Sequence, residues 1–180
     1  MSNKKQESTL SALLREKPKR GRPRHAVSRQ NVYVALSEEQ KQQMTQLAGK
    51  LPPGLSRADV PDLSITVLVA RFEAMRRAVS GRTREIPEGI TDMNSLYLLW
   101  DLVVPGRNEE IKWTSIRVSP QQAIELGRIH GALNALFGAN RSEVFALGVA
   151  LLDYCVENDL PEQANISLAE MRDVVNKIYL

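Results

Sequence analysis

The chain has 180 residues and a mass of 20.2 kDa, is 43% hydrophobic, and carries 24 Lys and Arg against 21 Asp and Glu, a net charge of +3. That length and apolar content support a buried core of one medium or two small domains and exclude a chain disordered throughout. A single cysteine, Cys155, excludes an internal disulfide framework, the two separated histidines His25 and His130 exclude zinc-ligand spacing, and no apolar run approaches the roughly 20 residues a bilayer demands. The expectation is a soluble protein of a reducing cytoplasm, with no metal, cofactor or membrane contact.

Charge is uneven along the chain. Residues 1–30 hold nine basic and two acidic side chains, net +7, so residues 31–180 are net −4. Residues 1–28 mix Lys, Arg, Ser, Gln and Pro with few large apolar groups, which predicts a disordered basic arm. Asn31-Val32-Tyr33-Val34-Ala35-Leu36 then alternates as a strand with Val32, Val34 and Leu36 on one face. Ser37-Glu38-Glu39-Gln40 reads as a capping box opening a helix through Met44, Leu47 and Ala48, ended by Gly49-Lys50-Leu51-Pro52-Pro53-Gly54. Ser56-Arg57-Ala58-Asp59 predicts a brief turn interrupted by Pro61, and a longer helix is expected behind Ser64 through Val67, Leu68, Phe72, Met75 and Val79.

The same order returns further on. Trp113-Thr114-Ser115-Ile116-Arg117-Val118 alternates, Ser119-Pro120 supplies an N-cap with proline at N1, and Ile124, Leu126, Ile129, Leu133, Leu136 and Phe137 recur at helical spacing. Gly138-Ala139 breaks that helix, and Asn140-Arg141-Ser142-Glu143 is a capping box for an apolar helix carrying Val144, Leu147, Leu151, Leu152, Tyr154 and Cys155. Placing Leu36-Ser37 on Val118-Ser119 gives an internal repeat at an offset of 82 residues. Between the units, Met93 to Val104 predicts a helix ahead of a turn at Pro105-Gly106. Ser167-Leu168-Ala169-Glu170 caps a last amphipathic helix with Met171, Val174, Val175 and Ile178. The expected organisation is a basic arm over 1–28, a first unit over 29–79, a connector over 80–111, a second unit over 112–158 and a C-terminal helix over 159–180.

In the arm, Lys17-Pro18-Lys19-Arg20-Gly21-Arg22-Pro23-Arg24 has an Arg-Gly-Arg-Pro core that resembles the AT-hook of minor-groove DNA binders. A narrow A·T minor groove concentrates negative potential that draws inserted guanidinium groups. The resemblance implies that Arg20 and Arg22 insert, Gly21 lets the backbone approach the groove floor, Pro23 completes the core, and Lys17, Lys19 and Arg24 meet phosphates.

The strand that enters a capped helix and then a second helix resembles the ribbon-helix-helix family of bacterial DNA-binding proteins, over residues 29–79 and again over 112–158. The resemblance implies a mainly α fold in which two strands pair as a short antiparallel β-ribbon that lies in the major groove. With two units in one chain, the fold expected is a tandem ribbon-helix-helix pseudo-dimer with extra helices, and its partner is double-stranded DNA, with several copies able to assemble on adjacent sites. Its base-reading residues would be Asn31, Tyr33 and Ala35 on the first strand and Trp113, Ser115 and Arg117 on the second. Arg117 can pair with guanine O6 and N7, and Asn31 with adenine N6 and N7.

Docking of the second helix on a DNA phosphate maps onto Asn140, Arg141 and Ser142, where free amides and the helix dipole favour an anion. The first unit is less regular. Ser37 to Ser64 spans 27 residues and Ser119 to Asn140 spans 21, so either the first loop is longer or Ser56-Arg57 is the counterpart despite Pro61. Tandem units of this kind resemble accessory DNA-binding proteins of plasmid conjugation, so a nucleoid-associated transcriptional regulator or a plasmid maintenance or transfer factor is expected.

Catalysis is not expected. Pro61-Asp62 and Glu110-Ile111-Lys112 share only residue types with restriction-type nucleases, since Asp62 reads as a helix cap and Glu110 and Lys112 as a charged connector. Cys155 falls among apolar helix residues, and His130 has no acid or nucleophile near it in sequence. The alternative is a protein-interaction module, antitoxin-like or scaffolding, that offers its C-terminal helix to a partner groove.

Overall fold

The computed structural model describes residues 28–81, 89–106, 110–160 and 165–180. Lys17, Lys19, Arg20, Gly21, Arg22, Pro23 and Arg24 therefore lie outside the described residues. The fold is mainly helical with one two-stranded antiparallel sheet.

Strand β1 (Gln30–Ser37) runs directly into α1 (Glu38–Lys50). The Ser37 hydroxyl accepts the Gln40 amide N–H at 3.2 Å, and the Ser37 amide donates to the Gln40 side-chain oxygen at 3.0 Å, so the predicted capping box is present. Leu51 then turns extended ahead of Pro52. A single 3₁₀ turn over Arg57–Asp59 leads into α2 (Val60–Ser80). This helix begins four residues before Ser64, contrary to expectation, because Pro61 occupies its first turn, where the missing N–H has no intrahelical acceptor to lose. Ser64 is buried inside the helix, its hydroxyl donating to the Val60 carbonyl at 2.9 Å.

Helix α3 (Met93–Leu99) is shorter than the apolar run suggests. Leu102 N–H turns back to the Tyr97 carbonyl at 2.8 Å, and Asp101 adopts a positive φ of 55°, so the chain leaves the helix and continues as a strap. Strand β2 (Ile111–Val118) leads into α4 (Pro120–Phe137), ended by Gly138 at φ 68°. Helix α5 (Arg141–Tyr154) passes into a π-turn over Cys155–Asp159, and α6 (Leu168–Tyr179) closes the chain. The order strand, helix, helix thus occurs twice. Helix α2 begins 23 residues after Ser37 and α5 begins 22 residues after Ser119, so the irregularity anticipated in the first unit shrinks to one residue.

The strands pair antiparallel from Gln30 opposite Val118 to Ser37 opposite Ile111. Val34, Leu36, Ile116 and Val118 point into the core formed with α2, α4 and α5. The packing crosses over: α2 lies against β2 and α5 against β1, so each strand rests on the second helix of the other unit. Helices α2 and α5 meet most closely, and a Cβ at Gly148 would come within 2.9 Å of the Ser64 carbonyl oxygen. Helix α6 buries Met171 and Val175 and packs along α2. Its lead-in is fastened where Ile166 N–H donates to the Pro53 carbonyl at 2.8 Å, beside Gly54 at φ 98°. No single helix among the described residues is long and apolar enough to cross a membrane.

Candidate nucleic-acid interface

The strand register gathers the six predicted base-reading residues onto one face as three successive rungs: Asn31 opposite Arg117, Tyr33 opposite Ser115, and Ala35 opposite Trp113. Two hydrogen-bonding side chains stand on the first rung and the Trp113 indole on the last. Asn31, Ser115 and Arg117 are exposed, as are Tyr33 (65%) and Trp113 (76%). Ala35 departs from expectation, being 8% exposed, so its methyl group is a buried spacer rather than a reading contact.

The Ala35 amide N–H donates to Ser142 Oγ at 2.8 Å instead of across the ribbon. The outward rungs are therefore the non-hydrogen-bonded pairs of the ladder, whose Cα atoms sit about 4.5 Å apart with their side chains close together. Asn31 and Arg117 can then address neighbouring base edges from one rung. Neither Arg117 nor Arg141 forms an ion pair among the described residues, so both guanidinium groups remain open to a ligand.

The Ala35–Ser142 bond also seats the start of α5 against the Trp113 end of the ribbon. Asn140 caps that helix, its side-chain oxygen accepting from Ser142 N–H at 2.9 Å and Glu143 N–H at 3.0 Å, while Glu143 accepts from Asn140 N–H at 2.7 Å. Asn140 and Arg141 are exposed and Ser142 is half-buried. The three predicted phosphate contacts thus lie together beside the ribbon, with the Asn140 side-chain oxygen committed to the cap.

At the Asn31–Arg117 end the corresponding helix start is filled by the protein's own charges. Arg29 donates to the Ala58 carbonyl and, at 2.5 Å, to Asp59 Oδ1. Asp62, buried, accepts the Ser119 amide N–H at 2.8 Å through Oδ1, and its Oδ2 lies 3.6 Å from both Arg29 and Arg172. Burial opposes ionisation of Asp59, but the Ser56 hydroxyl and amide and the Arg29 guanidinium outweigh it and hold the carboxyl below its ordinary value. Asp62 does not cap its own helix; it clamps the β2–α4 junction. Ser119 occupies the N-cap position of α4 without a side-chain capping bond. Two carboxylates, Asp59 and Asp62, thus stand at the start of α2 beside Ser56 and Arg57, against the one carboxylate of Glu143 at the start of α5.

The sequence did not suggest this cluster, because its ion pairs join residues 30 to 110 positions apart and each residue alone resembles a cap or a surface charge. Elsewhere, a cleft of about 560 Å³ between α1 and α5 is lined by Glu39, Asp101, Asp153 and Glu157, a sign of charge that repels phosphate. Cys155 is buried, and burial pushes its thiol up, away from the thiolate a nucleophile needs. No group of His, Cys, Asp and Glu among the described residues is arranged to hold a metal. No family profile, curated protein or solved structure matches the chain.

Proposed function

We propose that the chain is a sequence-specific double-stranded DNA-binding protein, a transcriptional regulator or plasmid maintenance or transfer factor, built as a tandem ribbon-helix-helix pseudo-dimer. The observation that carries this reading is the outward ribbon face: five exposed side chains on three consecutive rungs, including Asn31 and Arg117 side by side and no carboxylate. A two-stranded ribbon is unstable alone and is here backed by helices, which leaves its free face rigid enough to enter a groove. The crossing of each strand onto the other unit's second helix further supports the pseudo-dimer.

On this reading the ribbon lies in the major groove, Arg117 donates to guanine and Asn31 bridges adenine, while the start of α5, with Arg141, holds a backbone phosphate at one end only. The arm, leaving the body beside the anchored Arg29, takes an adjacent A·T minor groove through Arg20 and Arg22. The body's net −4 charge leaves much of the salt-dependent affinity to the arm. The interaction-module reading is weakened because Met171 and Val175, the buried face of α6, already pack within the chain.

The deciding experiment selects a site from random duplexes with the full chain, then titrates Arg117→Ala and a chain lacking residues 1–28. Arg117→Ala should lose about 1–3 kcal/mol of discrimination at one guanine. Removal of the arm should lower affinity and flatten log K against log salt. Selection of no sequence, or an unchanged preference in Arg117→Ala, refutes the proposal.

A further inference from the structure

We propose that Trp113 and Tyr33 form a stacking site that holds the face of an unpaired nucleobase, an inference that rests on the DNA-binding reading above. Both rings are solvent-exposed, and they share one face of the ribbon with Arg117. The register sets each opposite a small partner, Trp113 opposite Ala35 and Tyr33 opposite Ser115, so neither ring is covered by the residue directly across from it.

The two residues are diagonal neighbours across the ribbon, a relation that places backbones about 7–8 Å apart. Both rings stand on the outward face, where either can offer its π-face to one base. The ligand class follows from the charge on the face. It carries a guanidinium and no carboxylate, and Ile111, also exposed, extends the apolar strip beyond Trp113. Flat, π-rich and attached to a polyanion, a nucleobase fits this surface, and aromatic side chains hold unstacked bases without regard to their edges. The hydrogen-bonding rung at Asn31 and Arg117 would read paired bases, and the aromatic end would trap a base released from the stack next to them.

The test uses the full chain and two versions of its selected duplex, one fully paired and one with a single unpaired 2-aminopurine at the position facing Trp113, comparing wild type with Trp113→Phe and Trp113→Leu. Wild type should bind the bulged duplex at least tenfold more tightly and quench the 2-aminopurine. Trp113→Phe should keep most of that preference, and Trp113→Leu should bring the ratio of the two affinities near one and abolish the quenching, the ratio being the readout because Trp113 stands on the reading face itself. Equal wild-type affinity for the two duplexes, or a Leu variant that keeps the preference, overturns the stacking site and leaves the DNA-binding reading intact. Failure to bind either duplex overturns both.

Discussion

The close crossing of α2 and α5 holds the ribbon's backing together, and Gly148 is where it can be probed. A methyl group at Gly148 would sit 2.9 Å from the Ser64 carbonyl oxygen, 3.4 Å from the carbonyl carbon and 3.5 Å from Leu68 Cβ, so backbone rather than a pliable side chain must give way. Overpacking of this kind costs about 1–3 kcal/mol, offset by about 1 kcal/mol from replacing a mid-helix glycine with alanine. Gly148→Ala should therefore lie between neutral and about 2 kcal/mol destabilised, about 1–3 kcal/mol below an unhindered glycine-to-alanine change. Gly127 and Gly131 supply internal controls: both are exposed on α4 with nothing within 4 Å of an added Cβ, so alanine there should stabilise by about 1 kcal/mol each. Urea unfolding of the three variants reads the signs directly. A Gly148→Ala protein as stable as Gly131→Ala would refute the helix crossing, and with it the reason the two strands meet.

Asp62→Ala should lose about 3–5 kcal/mol, since it strands the buried Ser119 amide and removes the carboxylate facing Arg29 and Arg172; Asp62→Asn, which keeps an acceptor, should lose clearly less, and equal mild losses below 1 kcal/mol in urea melts would contradict the clamp. Because the Asp59 carboxyl is held below its ordinary value of 3.8 when folded, its contribution is present above that value and lost as pH falls through the folded value. The stability gap between wild type and Asp59→Asn should accordingly be constant near neutrality and narrow below pH 3.8, as acid titrations of denaturant midpoints would reveal. Arg141→Ala should weaken binding of all sequences alike and reduce the salt slope by about one, whereas Arg57→Ala, near Asp59 and Asp62, should change the slope little.

Local patterns carried most of the element order. The alternation at Val32, Val34 and Leu36 and the three capping boxes at Ser37, Asn140 and Ser167 are written within a few residues, and each is present as read. The start of α2 was misplaced because proline was taken as a breaker, when its effect depends on whether it falls in the first turn. The length of α3 was overestimated because apolar content persists through the strap, where Leu102 is buried without being helical. Which face of the ribbon points outward was legible from period-two alternation, but the burial of Ala35 was not, since that depends on the start of α5 meeting its amide from 107 positions away. The Arg29–Asp59–Asp62–Arg172 cluster and the need for Gly148 arise only when distant segments are brought together.

Pairing β1 with β2 inside one polypeptide changes how the assembly answers to concentration. A ribbon shared between two separate chains falls apart once the protein is diluted below its dissociation constant, whereas a tethered one re-forms by a first-order step however few molecules are present. At low copy number the ribbon would still be formed, and the two halves, freed from the demand that they be identical, can differ, which on the proposed reading would fix a single orientation on the duplex.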